Sequence, residues 1–291
     1  MPQTIAHPLN AILMIAIPIG LGMYLGHRWQ LSWRLWWIGA ATFVFSQVGH
    51  IPFNAGLTLL FSRGILPAPP ANWNPLFNAV VLGLSAGLWE EGFRYGIYRW
   101  WAKDARTWRR GIWLGAGHGG VEAILLGAIV LVNFFYYLAI RNADLSGIVP
   151  VDQLALAQRQ VAAYWSAPWY TILLGALERA LTQPIQIAFS VLVLQVFVRR
   201  QAFWLFLAIG WHALVDAAAV YVAQRSNATA AEIVIAAASL LSLVLIFLLR
   251  RPEPQPEAEM PAPPRPILPG EGGKINDTIE TPERLDQTRY Q

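Results

Sequence analysis

The sequence predicts an all-α, polytopic transmembrane helix bundle of about seven spans, with eight as the alternative count. Hydrophobic residues make up 56% of the 291-residue chain and charged residues only 13%, whereas a soluble domain carries about 25% charged residues. The mean hydropathy is +0.42, and apolar stretches long enough to cross a bilayer recur along the chain. These observations exclude an ordinary soluble globular protein and disorder over most of the length.

Seven apolar segments have the length that a span requires. The first has no basic n-region and exceeds a signal-peptide core, which indicates a retained anchor. The fourth and fifth are so long that they must tilt, project or break, and Pro184 gives the fifth a place to break. We expect part of the polar segment 142–167 to form a short helix on the outer surface. The spans lie at about 9–26, 35–53, 76–98, 111–140, 169–198, 202–223 and 231–249.

Basic residues near the span ends predict the orientation. With seven spans, eleven Lys and Arg flank one side and four flank the other, which places the N-terminus outside and the C-terminus in the cytoplasm. We expect a multi-pass protein of the cell membrane, namely a bacterial plasma membrane. The eleven are Arg28, Arg34, Arg99, Lys103, Arg106, Arg109, Arg110, Arg199, Arg200, Arg250 and Arg251.

Composition divides the chain into a transmembrane domain, 1–251, and a Pro-rich cytoplasmic tail, 252–291. The tail has nine prolines and eight acidic residues, so we expect it to be disordered. The absence of cysteine excludes a disulfide framework, thiolate metal sites and a cysteine nucleophile. Fourteen Trp and a net charge of +4 fit a lipid bilayer as partner and not a nucleic acid.

Ionisable side chains occur in the middle of four spans, where each is costly unless paired or hydrated. Counting ~1.5 Å per helical residue from the cytoplasmic arginines puts Glu91 and His118 at about 12 Å, and Glu122 and His212 at about 18 Å. Three helices therefore bring acids and imidazoles to one layer, which predicts a single buried site. These mid-span residues are Glu90, Glu91, Arg94, His118, Glu122, Glu178, Arg179, His212 and Asp216.

Two of these spans each carry an imidazole and a carboxylate four residues apart, on one helix face. The pairs are His118 with Glu122 and His212 with Asp216. Such a pair can supply two ligands to a metal ion, or the carboxylate can fix the tautomer of a catalytic histidine. Small residues around His118 should let the helices approach closely.

The third span carries three charges within five residues. Glu90 and Arg94 are four apart, so we expect them to form an ion pair. Glu91 points about 100° away from Glu90 and would be left free. Glu91 is therefore the preferred general base.

Polar side chains also form a stripe on the fifth span, which could line a polar cavity or hold a substrate backbone. Counting from Arg199 at ~1.5 Å per residue, Glu178 and Arg179 lie roughly 30 Å away, near the outer face. We expect a structural or interfacial role for this pair unless the helix folds inward at Pro184. The stripe consists of Arg179, Thr182, Gln183, Gln186 and Ser190, of which Arg179, Gln183 and Gln186 are the candidate substrate-binding residues.

Four ordered motifs between about 80 and 220 resemble those of the YhfC family of intramembrane proteases. That family is related to the CAAX-protease and bacteriocin-processing membrane glutamate proteases. Two residues separate Glu91 from Arg94 where the wider group has three, and Asp216 stands where that group often has Asn. The motifs are Glu90-Glu91-Gly92-Phe93-Arg94-Tyr95, Gly117-His118-Gly119-Gly120-Val121-Glu122, Glu178-Arg179 and His212-Ala213-Leu214-Val215-Asp216.

The resemblance implies hydrolysis of a peptide bond within the membrane, with a peptide or membrane-protein substrate. Glu90 or Glu91 would activate water, and His118 and His212 would orient the water or stabilise the tetrahedral intermediate. Arg94 is matched to the same motif.

Related enzymes are described both as metalloproteases and as metal-independent glutamate proteases, and the sequence permits either. In a zinc version, His118, His212 and one of Glu122 or Asp216 would be the ligands. Two other functions stay open: an ion- or proton-coupled transporter or channel, and a non-catalytic membrane scaffold whose tail recruits partners.

Overall fold

The computed structural model describes residues 1–250, and this part of the chain consists of helices and their connections, without a strand. The predicted all-α class is confirmed. The predicted tail, 252–291, lies outside the described residues. The α-helices are α1 (Gln3–Trp29), α2 (Trp33–Ser62), α3 (Asn74–Gly96), α4 (Trp108–Ile140), α5 (Val151–Ser166), α6 (Trp169–Ile172), α7 (Leu174–Val198), α8 (Phe203–Arg225) and α9 (Ala228–Leu248).

Each of the seven predicted spans corresponds to a long helix, with α6 and α7 together forming the fifth. Five of the helical segments are long and apolar enough to cross a membrane: α1, α4, α6 with α7, α8 and α9. The two remaining long helices, α2 and α3, carry many of the polar side chains that face the bundle interior. The count of seven spans and the orientation stay predictions.

The fifth predicted span does not break at Pro184. Helix α7 runs through Pro184 without interruption, and the interruption lies instead at Leu173, between α6 and α7. Proline is tolerated in a membrane helix where its neighbours satisfy the freed backbone groups. The predicted helix within 142–167 is confirmed as α5, which has no buried residue.

Glycines bring two pairs of helices into backbone contact. A Cβ on Gly83 of α3 would lie 2.4 Å from the carbonyl oxygen of Ala213 on α8, and one on Gly117 of α4 would lie 2.0 Å from that of Trp36 on α2. No side chain fits at such distances, so these contacts require glycine. The predicted close packing around His118 is therefore confirmed.

The largest apolar core lies at the end of the bundle where α3 and α7 finish and α4 begins, the end that carries the basic loops. It includes the fully buried Tyr98, Trp113 and Leu192. The Trp113 indole donates to the Ser32 carbonyl at 2.9 Å, and this contact joins α4 to the start of α2. This packed core lies next to the layer of polar side chains described below.

Candidate active site

Glu91 is fully buried, and its carboxylate contacts the side chains of Arg94 and His212. Arg94 donates from Nη1 to both oxygens of Glu91, at 2.5 and 2.6 Å, and His212 Nδ1 lies 2.8 Å from Oε1. The expected Glu90–Arg94 ion pair with a free Glu91 is therefore wrong. Residues three apart share a helix face as readily as residues four apart, and Arg94 bonds to the nearer carboxylate.

Glu90 faces a different group of side chains. Its Oε2 lies 3.1 Å from His118 Nε2 and 4.0 Å from His212 Nε2, and its Oε1 accepts from Gln47 at 3.2 Å. Glu90 also lines a cavity, whereas Glu91 is not among the lining residues. Of the two acids, Glu90 is thus the one that a molecule in the cavity can reach.

His212 is held in one orientation by groups on both sides of its ring. The ring stacks on Phe189 with centroids 4.3 Å apart. Because the Glu91 carboxylate can only accept, Nδ1 of His212 carries a proton and donates to it. Nε2 then points towards the cavity, 3.4 Å from Asp216 and 4.0 Å from Glu90.

The cavity has a volume of about 330 Å³ and lies among α2, α3, α4, α7, α8 and α9. One end is formed by Glu90 and His212. The other is lined by Glu178 near the start of α7 and by Ala219 and Val220 near the end of α8. The cavity therefore extends from the buried layer towards the helix ends opposite the basic loops.

Arg179 lies against this cavity and joins α7 to α4. Its Nη1 donates to Glu122 Oε1 at 2.6 Å, and its Nη2 pairs with Glu178. The side chain is 8% exposed and lines the cavity, so Arg179 belongs to this region of the bundle. The structural or interfacial role expected for it stays a prediction. The long Arg side chain reaches inward from a backbone near the outer end, without any break at Pro184.

Gln186 links the two carboxylate groups across α7. It accepts from Arg94 at 2.7 Å and donates to Glu122 Oε2 at 2.9 Å, with Glu90 Oε2 at 3.5 Å. Glu122 thus contacts Arg179 and Gln186. His118, which lies four residues before Glu122, contacts Glu90. Side chains from α3, α4 and α7 form one connected network.

The remaining stripe residues bind backbone. Gln183 donates to the Gly119 carbonyl at 2.8 Å and Ser190 to that of Gly111 at 2.9 Å. Gln183 is not among the residues that line the cavity. The structure therefore brings Arg179, Thr182 and Gln186 to the cavity, and Gln183 holds α7 against α4.

Two polar residues of α2 also belong to this region and were not predicted as site residues. His50 lines the cavity, with Nε2 3.1 Å from Ser85 Oγ, and Gln47 binds Glu90. Their only sequence signal is a polar side chain in an apolar segment, which indicates an interhelical hydrogen bond. Those hydrogen bonds are present, and the proximity to Glu90 is visible only in three dimensions.

The predicted zinc version can be compared with these positions. Two ligands of one tetrahedral zinc ion lie about 3.3 Å apart, close to the 3.1 and 4.0 Å that separate Glu90 Oε2 from the two imidazole nitrogens. Glu122, one of the predicted ligands, forms an ion pair with Arg179. Within residues 1–250, no three His, Asp or Glu side chains converge on one point. The carboxylate and imidazole groups are of the kinds that bind zinc. Three of them would have to move closer together to coordinate an ion.

Comparison with known proteins gives two matches. The model of a family described as YhfC intramembrane metalloprotease matches residues 13–237. A protein of Bacillus subtilis (strain 168), described as uncharacterized membrane protein YhfC, is 31% identical over 243 residues, which cover 81% of this chain and 92% of that protein. No solved structure matches the chain.

Proposed function

The chain belongs to the YhfC family, and we propose that this multi-pass membrane protein hydrolyses a peptide bond within the membrane. The observation that carries the proposal is the position of Glu90. It is a buried carboxylate that lines a polar cavity and lies beside two imidazoles, at 3.1 and 4.0 Å. An acid in such surroundings is a candidate general base because it can exchange a proton with a bound reactant.

Glu90 acts as the base in this proposal. The 4.0 Å between Glu90 Oε2 and His212 Nε2 is too long for a direct hydrogen bond and suits a bridging water molecule. A water held there would lie next to the acceptor that removes its proton. His118 contacts Glu90 but does not line the cavity, so its role is to position the carboxylate.

Glu91 and Arg94 have a supporting role. Both are fully buried, and their ion pair places a fixed acceptor next to Nδ1 of His212. This contact orients the ring and sets its tautomer, as the carboxylate partner of a catalytic histidine does. The base expected from the sequence, Glu91, is therefore assigned here as a positioning residue.

The reaction then follows from these positions. The water oxygen attacks the carbonyl carbon of the scissile bond while Glu90 takes one proton of the water. Protonated His212, or the Gln186 amide, donates to the oxyanion of the tetrahedral intermediate. Glu90 returns its proton to the amide nitrogen, the C–N bond breaks, and the products are a carboxylic acid and an amine.

A metal-assisted form is the second candidate, and the family description favours it. Glu90, His118 and His212 would hold the ion, since Glu90 Oε2 lies 3.1 and 4.0 Å from Nε2 of the two imidazoles. A zinc ion bound there would activate water and polarise the substrate carbonyl. In that form Glu91 would still orient His212 through Nδ1.

The test is cleavage of transmembrane peptides by the purified protein in liposomes, read by mass spectrometry. We expect Glu90→Gln to lower the rate by about 10²-fold or more, the usual contribution of a general base, with the fold retained. Asp152→Asn removes an acid from exposed α5 and is the matched control, expected to cleave at the wild-type rate. Equal rates for Glu90→Gln and the control would reject Glu90 as the base.

The two rival functions give different results in the same liposomes. A transporter would show substrate-coupled proton or ion flux that Glu90→Gln abolishes, without new peptide products. A scaffold would show neither flux nor cleavage, and its function would depend on residues 252–291.

A further inference from the structure

The cavity wall has an excess of negative charge. Four carboxylates line it, and one guanidinium offsets them, so the formal charge is −3 when the lining imidazoles are neutral. Low-dielectric walls of one sign concentrate the electric field in a cleft and attract ions of the opposite sign. The lining groups are Glu90, Glu122, Glu178, Asp216 and Arg179.

A further carboxylate lies behind the end of the cavity that is remote from Glu90. Glu232 of α9 is 8% exposed, and its Oε2 has no hydrogen-bond partner among the described residues. Glu178 and Arg179 are close enough to Glu232 to interact with it electrostatically. Ile235, one turn further along α9, lines the cavity, which places Glu232 at the same end.

The charges at this end do not balance. Arg179 already pairs with Glu122 and Glu178, so one guanidinium faces three carboxylates when Glu232 is included. A buried carboxylate without a counter-charge or hydrogen bond is unfavourable. A second cation between Glu178 and Glu232 would supply the missing partner. Glu178 is the accessible member, because its side chain is 35% exposed.

We propose that Glu178 and Glu232 form a subsite for a positively charged side chain, Lys or Arg, of the substrate. This inference rests on the proposed peptidase function. Helix α7 fixes the distance to the reacting group. Glu178 precedes Gln186, which contacts Glu90, by eight residues, or about 12 Å along the helix. An extended peptide covers that distance in about three or four residues, so the basic residue lies that far from the scissile bond.

The experiment uses a series of otherwise identical transmembrane peptides with Lys or Gln placed at successive positions. Their Kd is measured on the full-length protein in nanodiscs, with Glu90→Gln present to prevent turnover, and kcat/KM is measured on the protein with Glu90 intact. We expect the Lys peptide to bind at least about tenfold more tightly than the Gln peptide when Lys is three or four residues from the cleaved bond.

Two variants test the assignment independently of folding. Glu232→Gln and Glu178→Gln each keep the side-chain shape and should reduce the Lys-to-Gln ratio to about twofold or less. Asp152→Asn makes the same change of charge on exposed α5 and should leave the ratio unchanged. A ratio near one in the parent protein, or one that neither variant alters, would overturn the subsite.

The outcomes also separate this inference from the proposed function. Cleavage of Lys and Gln peptides at equal rates, with equal Kd, would retain the peptidase and reject the subsite. A Lys preference in Kd that both variants remove, without cleavage of any peptide, would support the subsite and reject the peptidase.

Discussion

Glu90 and Glu91 are adjacent in the chain, yet their carboxylates have different surroundings. Glu91 is fully enclosed between Arg94 and His212, whereas Glu90 reaches the cavity. A helix turns by about 100° per residue, so two adjacent acids can serve two helix faces. One carboxylate is thereby fixed as a structural anion, and the other remains available for proton transfer.

This difference predicts unequal losses of stability for two equivalent substitutions. Glu91→Gln leaves the Arg94 guanidinium buried without its counter-charge, so we expect a loss of about 3–5 kcal/mol in the free energy of unfolding. Glu90→Gln removes no ion pair with Arg94 and should cost clearly less. Denaturant unfolding in detergent micelles measures both.

A double substitution checks the cause. Glu91→Leu with Arg94→Met removes the whole buried pair, and replacement of a pair by apolar residues is often neutral. The double variant should therefore be more stable than Glu91→Gln alone. If it is less stable, or if Glu90→Gln is as damaging as Glu91→Gln, the assigned environments are incorrect.

The sequence predicts which ionisable residues lie in one layer, because helical rise converts residue counts into depth. It does not predict their partners. Arg94 can reach acids three or four residues away, and the choice of Glu91 depends on His212 and Gln186 from other helices. Glu232 belongs to none of the sequence motifs, and only the packing of the helices brings it near Arg179.

Helix α7 shows why a side chain can lie deeper in the bundle than its backbone position predicts. Counting along its backbone places Arg179 far from the buried layer, yet the side chain contacts Glu122 and lines the cavity. Depth counted at Cα ignores the length of an Arg side chain. The continuous helix through Pro184 also keeps Arg179 and Gln186 on one face, two turns apart.

The close packing of α3 on α8 predicts how two glycine substitutions on α3 change stability. A Cβ on Gly83 would lie 2.4 Å from the Ala213 carbonyl oxygen, whereas one on Gly92 of the same helix meets nothing within 4 Å among the described residues. Overpacking costs about 1–3 kcal/mol, so Gly83→Ala should lower the melting temperature and displace His212 from Glu91.

Gly92→Ala is the matched control on α3. Ala is favoured over Gly in a helix by about 1 kcal/mol, so this variant should melt at or above the wild-type temperature. Equal destabilisation by both substitutions would show that the contact between α3 and α8 is looser than described.

At the scale of the molecule, the distribution of basic residues predicts seven spans with the N-terminus outside. The chain contains no cysteine, so an introduced cysteine is a unique reporter. A membrane-impermeant thiol reagent should label Ser146→Cys and Ser226→Cys in intact cells. Lys103→Cys should react only after lysis. Labelling of Lys103→Cys in intact cells would contradict the predicted orientation.

The same orientation would place the open end of the cavity on the outer side, because Glu178 and Val220 lie near the helix ends opposite the basic loops. Apolar length and charge bias are properties of whole segments, and the sequence predicts them well. The cavity arises from side chains of six helices, and no single segment encodes it.

In the proposed reaction, Glu90 activates the water molecule that hydrolyses the peptide bond. The most direct measurement is cleavage of a transmembrane peptide by the reconstituted protein in ¹⁸O-labelled water, followed by mass spectrometry of the products. We expect one ¹⁸O atom in each new carboxyl terminus, and we expect Glu90→Gln to reduce the cleavage rate strongly. Products without ¹⁸O, or labelled products formed equally well by Glu90→Gln, would contradict the proposed reaction.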